Sequence, residues 1–169
     1  MLKKNSHCSF CGHAFADDAT WPRTCSQCKN TSYINPLPVA VTVLPVQSDA
    51  GIGVLCVRRT IEPRRGQLAL PGGYIELGES WQAACVRELR EEAEIEIDAA
   101  TITLFAAHSA PDGTLLIFGL APVIDQQQLA AFQETSEASE RVILTEPIEI
   151  AFPLHSKVLR KFFSRFHNF

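Results

Sequence analysis

The chain contains no apolar run long enough to span a bilayer. Its longest apolar stretch, Val39 to Val46, is short and interrupted by Thr42 and Pro45. The opening Met1-Leu2-Lys3-Lys4-Asn5 leads into Cys and polar residues rather than an apolar leader core. The expectation is therefore neither a secretory leader nor a membrane partner, but a cytoplasmic protein. Internal repeats and low-complexity tracts are also lacking, which excludes solenoid and collagen-like architectures. An excess of positive charge is missing too. Fifteen Lys and Arg against nineteen Asp and Glu leave a net charge of -4, so a nucleic acid is not an expected partner. What is present is ordinary globular material, 46% apolar and 20% charged over 169 residues. That is enough for one full-sized domain with a small appendage.

The six cysteines are unevenly placed. Cys8, Cys11, Cys25 and Cys28 form two Cys-x-x-Cys pairs near the start, whereas Cys56 and Cys85 stand singly in apolar surroundings. Two such pairs supply four thiolates for a tetrahedral site and read as a structural Zn²⁺ ribbon. A segment from about Ser6 to Ile34 is too short to sustain a core of its own, and the metal substitutes for it. A redox dithiol pair is the alternative reading. A catalytic metal is a poorer one, because four thiolates leave no open coordination position. His7 and His13 flank the first pair and read as exposed neighbours.

After Asn35-Pro36-Leu37-Pro38 the texture shifts to β-branched residues, so the expected domains are 1–36 and 37–169. In the second, Val39–Leu44, Ile52–Arg58, Ile102–Ala107 and Leu115–Leu120 read as strands. Pro111-Asp112-Gly113 joins the last two as an antiparallel hairpin. Helical periodicity runs from Ser80 to Ala93. It recurs from Ser156, where Val158, Leu159, Phe162, Phe163 and Phe166 predict a core-packing helix. The class is α/β, with a mixed sheet and flanking helices.

Chemistry concentrates between Leu70 and Ile95. Pro71-Gly72-Gly73 opens a loop, and the helix after it places Cys85, Val86, Leu89 and Ala93 on one side and Glu88, Glu91 and Glu92 together on an adjacent one. At ~6 Å and an effective dielectric of ~20, each pair of those carboxylates repels by about 3 kcal/mol. A divalent cation with a taste for oxygen ligands, Mg²⁺ or Mn²⁺, would relieve this. A solvated helix with pairs such as Arg87 and Glu91 at i,i+4 is the plainer alternative on composition alone.

The spacing resembles the Nudix box, Gly-x5-Glu-x7-Arg-Glu-U-x-Glu-Glu-x-Gly-U, with U a bulky aliphatic residue. Gly73, Glu79, Arg87, Glu88, Leu89, Glu91, Glu92 and Ile95 match in register, and Glu94 occupies the final glycine position. Glu94 is expected to face solvent, opposite the buried stripe, and its change to glycine to leave turnover within a few fold.

The resemblance implies an α/β/α sandwich around a mixed sheet, here preceded by the zinc ribbon. It also implies hydrolysis of a nucleoside diphosphate linked to another group by metal-activated water. On that resemblance Glu88, Glu91 and Glu92 would bind Mg²⁺ or Mn²⁺, with the Gly72 carbonyl as a further ligand. Gly73, Glu79 and Arg87 would support the loop and helix. The general base is either a box glutamate or a later acid, with Glu137 preferred over Glu134 and Glu140. Arg58, Arg59, Arg64 and Arg65 could hold substrate phosphates or be ordinary surface residues. Trp81 and Tyr74 read as packing residues more readily than as base-stacking ones.

A ribbon joined to such a domain resembles the NADH pyrophosphatase and ADP-ribose pyrophosphatase branch. The NADH signature Ser-Gln-Pro-Trp-Pro-Phe-Pro is absent, the corresponding stretch being Ala107-His108-Ser109-Ala110-Pro111-Asp112-Gly113. This disfavours NADH and leaves ADP-ribose, FAD and dinucleoside polyphosphates open as small-molecule nucleotide substrates. Pro111 sits at the distance associated with ADP-ribose hydrolysis, though a hairpin turn would equally require it. The resemblance also leaves a homodimer open. Two further readings are a catalytically weak nucleotide-sensing module, suggested by Glu94, and a zinc-ribbon adaptor.

Overall fold

The structure is a computed structural model describing residues 4–166; residues 1–3 and 167–169, the outermost parts of the two expected domains, lie outside the described residues. The chain divides into two compact units at the junction of Pro36 and Leu37.

The first unit has little regular structure: β1 (Arg23–Thr24) pairs antiparallel with β2 (Thr31–Ser32). Tight turns do the rest. Gly12 N donates to the Cys8 carbonyl at 2.9 Å, and Lys29 N to that of Cys25 at 3.0 Å. The residue after each Cys-x-x-Cys pair, Gly12 or Lys29, has a positive φ, which turns the chain back past the sulfurs. Arg23 lies over the rings of Trp21 and Phe15 and covers the small apolar contact between them.

In the second unit the elements follow in order: β3 (Leu37–Val43), β4 (Pro45–Ser48), β5 (Gly51–Arg59), β6 (Leu68–Ala69), β7 (Gly72–Tyr74), α1 (Trp81–Ala93), β8 (Thr103–Ser109), β9 (Thr114–Leu120), β10 (Ile124–Asp125), β11 (Ala138–Leu144) and α2 (Pro153–Phe166). The strands form two sheets rather than one. The first has the order β10-β4-β5-β11, with β6 also on β5; the second has the order β7-β3-β9-β8. Both are mixed: β10 runs parallel to β4 and β9 parallel to β3, whereas the other pairs are antiparallel.

The side chains of β5 explain the layering. Val54 and Cys56 belong to the cluster that receives Val158, Leu159, Phe162 and Phe163 of α2. Leu55 and Val57 point the other way, into the cluster built on Leu89 and Ala93 of α1. A strand covered on both faces loses the polar alternation of a half-exposed one, hence the continuous run Val54-Leu55-Cys56-Val57. The helices therefore sandwich the sheets in the α/β/α manner. The helix expected from Ser156 begins one turn earlier, at Pro153, whose fixed φ suits a first helical position.

One of the later acids is not on a loop: Glu140 belongs to β11, which pairs with β5 across a bulge between Ala138 and Glu140. The strand is hard to read locally because Ser139-Glu140-Arg141 precede its apolar Val142-Ile143-Leu144. No helix among the described residues is long and apolar enough to cross a membrane.

Candidate functional site

Two centres stand out. In the first unit the sulfurs of Cys8, Cys11, Cys25 and Cys28 all lie within 4.8 Å of one another; among the described residues they are the one group of three or more such ligand atoms gathered so closely. Cys8 and Cys28 are 3.6 Å apart, as are Cys11 and Cys25. A tetrahedron with metal–sulfur bonds of ~2.3 Å has edges of ~3.8 Å, so the separations suit such a site. The backbone N–H of Cys28 holds the Cys25 thiol below the ordinary range. Burial opposes ionisation of Cys8, but the N–H groups of Phe10 and Cys11 overcome it and bring the thiol to about 6. Donors aimed at sulfur thus favour at Cys8 and Cys25 the thiolate form that a metal requires, whereas at Cys11 the His13 N–H is outweighed by burial and the neighbouring sulfurs, which push that thiol up to about 12. His7 and His13 are exposed, His13 Nε2 being paired with the Ser26 hydroxyl.

The second centre is built on β7 and α1. Gly72 and Gly73 occupy an edge strand beside β3. A Cβ on Gly72 would fall 2.4 Å from the Ala40 carbonyl oxygen, so only glycine permits this approach. The chain then turns through Glu76 to Glu79, and Ser80 caps α1 by accepting from Ala83 N at 3.1 Å.

Arg87 holds loop and helix together. Its Nε and one terminal nitrogen donate to the two oxygens of Glu79 at 3.0 and 3.2 Å, and it also donates to the Tyr74 carbonyl at 2.9 Å. Its remaining terminal nitrogen reaches Glu88 at 2.6 Å and Glu91 at 3.1 Å. These bonds lower the Glu79 carboxyl below its usual range despite burial, and Glu79 in turn raises Arg87.

The three acids of the helix face are not equivalent. Glu88 and Glu92 are buried, at 8% and 3% exposure, whereas the Glu91 side chain is half exposed. Burial raises Glu88, with Arg87 opposing and the charges of Glu91 and Glu137 reinforcing. Glu92 accepts from Gly72 N at 3.0 Å. Burial pushes it up to about 8; Glu88 and Glu137 act in the same sense, while the Gly72 N–H and Arg59 only partly oppose them. The oxygens of Glu88, Glu91 and Glu92 are not gathered as tightly as the four sulfurs, because Glu88 and Glu91 lean on Arg87. Two buried carboxylates disfavoured as anions are an oxygen donor set that fits a hard divalent cation.

The remaining sequence-predicted residues separate. Glu137 is exposed but near enough for its charge to bear on both Glu88 and Glu92. Glu140 pairs instead with Arg58 at 2.5 Å, and Arg58 also donates to the Gly66 carbonyl. Arg59 lies over the Phe152 ring, donates to the Pro63 carbonyl, and its charge acts on Glu92. Arg64 and Arg65 are exposed in the loop between β5 and β6. Trp81 packs with Ile102 and Cys85, whereas Tyr74 is 59% exposed.

Sequence reasoning overlooked His155. It is buried on α2 and accepts from Leu70 N at 3.3 Å, just ahead of the glycine loop. Its only sequence signal is a histidine beside a helical apolar stripe. A hollow of about 400 Å³ between Gln47–Asp49 and Asp125–Gln127 includes none of the box residues.

With a glycine edge, a capped helix, an arginine clasp and two buried acids in this arrangement, the class is that of a Nudix domain. The NUDIX domain model matches residues 36–166, and the chain belongs to this family. Among curated proteins, the NAD-capped RNA hydrolase NudC of Salmonella typhi is 25% identical over 98 residues, or 57% of this chain and 36% of that protein. The chain thus matches about a third of the length of such relatives. Among solved structures, a NUDIX hydrolase from Nitrosomonas europaea aligns with a TM-score of 0.71 and 25% identity, covering 96% of this chain and 92% of that one. The NUDIX domain of Shewanella oneidensis NrtR, complexed with ADP ribose, aligns with a TM-score of 0.65 at 22% identity over 79% of this chain and 90% of that one, a likeness of fold.

Proposed function

We propose that the second unit hydrolyses a nucleoside diphosphate linked to another moiety, water adding to one phosphorus of the bridge as the phosphoanhydride bond breaks and the other fragment leaves with its terminal phosphate. The observation that carries this reading is the pair of buried carboxylates, Glu88 and Glu92, set against the N–H of Gly72 and the open backbone of Gly73. Glu88, Glu91 and Glu92 would hold Mg²⁺ or Mn²⁺, with the Gly72 carbonyl as a further ligand. When bound, such a cation would lower the pKa of a water and shield charge on the bridging oxygens.

The chain's own groups supply the rest. Glu137 accepts the proton of the attacking water, since it is the later acid whose charge reaches the box. Arg59 offsets phosphate charge from beside Glu92, and Arg64 and Arg65 offer two further guanidinium forks from the exposed loop. Arg58 shapes that loop through Glu140 and the Gly66 carbonyl. Glu79 and Arg87 act on the reaction only by holding Glu88 and the loop in place. Cys8, Cys11, Cys25 and Cys28 would bind one structural Zn²⁺, leaving it no free position for chemistry.

ADP-ribose, FAD and dinucleoside polyphosphates are the preferred substrates. The test is release of mononucleotide from each of these and from NADH, with Mg²⁺ and with Mn²⁺, in isotopically labelled water to locate the attacked phosphorus. Absence of metal-dependent cleavage across the panel would overturn the reading.

A further inference from the structure

Glu94 stands where the Nudix pattern has glycine, and its backbone has the conformation glycine favours, with φ 52° and ψ 39°. A side chain there is strained, because Cβ crowds the adjacent carbonyl. The expected solvent exposure is observed, yet the carboxylate is engaged: Glu94 Oε2 accepts from Gln133 N at 2.9 Å, a bond between residues 39 positions apart.

A second tie reinforces it. Arg141 donates to the Ala93 carbonyl at 3.2 Å, at the end of α1, and to the Ala130 carbonyl. Its guanidinium lies over the Phe132 ring, and Leu129 and Phe132 pack against the cluster that contains Leu89 and Ala93. Residues 129–133 are thereby fastened to the C-terminal end of the box helix. Four residues past Gln133 comes Glu137, and the turn between them is tight: Thr135 Oγ1 accepts from Ala138 N at 3.0 Å and from Glu137 N at 3.3 Å. Beyond that turn Thr60 holds the chain from the other side, its N–H donating to the Glu137 carbonyl at 2.9 Å and its hydroxyl to the Ser136 carbonyl at 2.7 Å, so the Glu94 tie and Thr60 bracket residues 133–137.

We propose that Glu94 is a positioning residue, whose carboxylate clamps the 129–137 segment to the end of α1 and so sets Glu137 relative to Glu88 and Glu92. This rests on the reading in which Glu137 takes the proton, a task sensitive to displacements of an ångström or less. It replaces the expectation that glycine at position 94 would be nearly silent. Glycine would relieve the backbone but release the segment.

The experiment compares wild type, Glu94→Gly and Glu94→Gln, each with and without Glu137→Gln, by amide hydrogen exchange and steady-state kinetics. In Glu94→Gly the melting temperature is retained, the amides of 133–137 exchange faster, and kcat falls about tenfold, as for loss of one charge-assisted hydrogen bond, with KM unchanged. Glu94→Gln keeps an oxygen acceptor and restores both exchange protection and kcat. On the Glu137→Gln background, Glu94→Gly costs nothing further. Wild-type exchange and kcat in Glu94→Gly would overturn the proposal, as would an equal further loss on that background. If wild type cleaves no compound of the panel, the functional reading falls, while exchange in the two Glu94 variants still decides whether the clamp exists.

Discussion

Gly73 makes room for Glu88: a Cβ at position 73 would lie 2.3 Å from Glu88 Oε1 and 2.7 Å from its carboxyl carbon. The glycine that heads the box and an acid fifteen residues later are therefore one steric unit. Gly73→Ala should push the Glu88 carboxylate aside, and the side chain can swing, so the stability cost should be only ~1 kcal/mol. Turnover should fall at least about tenfold, with a weaker response to Mg²⁺. Metal titrations of activity beside thermal melts will separate the two effects, and unchanged kinetics would refute the steric link.

Glu92→Gln should abolish hydrolysis while leaving the fold intact. In the metal-free protein it should melt no lower than wild type. Burial pushes the Glu92 carboxyl up to about 8 from an ordinary 4.5, so the native state binds its proton more tightly than the unfolded state. That contribution is present below pH 4.5 and is lost as pH rises through 8. The mutant's advantage should therefore grow across this window, and the Mg²⁺-dependent rise in melting temperature should shrink. Paired melts at several pH values, with and without Mg²⁺, give the answer.

Glu79→Gln should behave differently, lowering both rate and stability. It removes the charge from a two-pronged bond to Arg87, worth about 1–3 kcal/mol when little exposed. A mutant as stable as wild type would contradict the clasp.

His155 predicts an acid-sensitive core. Burial pushes it down to about 3 from 6.5, so the unfolded chain takes up a proton that the native protein refuses. Stability should be full above pH 6.5 and decline toward pH 3, by at most ~1.4 kcal/mol per pH unit from this group. His155→Asn, which can still accept from Leu70 N, should flatten the slope in urea titrations across that range.

Metal analysis should find about one zinc per chain. Chelation should expose the first unit to proteolysis while leaving Mg²⁺-dependent cleavage by the second unit intact. Immediate loss of cleavage with the second unit still folded would assign that metal a catalytic part.

Features that depend on near neighbours in the chain were legible before any fold was known. The two Cys-x-x-Cys pairs, the register of Gly73, Glu79, Arg87 and Glu88, the start of α1 at Ser80 and the strand-turn-strand around Pro111-Asp112-Gly113 all follow from spacing within a turn or a few turns of chain. So does the placement of Glu88, Glu91 and Glu92 on one helix face. Tertiary structure alone decided which of these acids is buried, because that depends on the strand laid against the face: Glu88 meets Gly73 and Glu92 meets Gly72, while Glu91 looks outward. It likewise paired Arg58 with Glu140 and Glu94 with the amide of Gln133. Those partners are 82 and 39 residues apart, and strand register and packing, which no local periodicity encodes, bring them together.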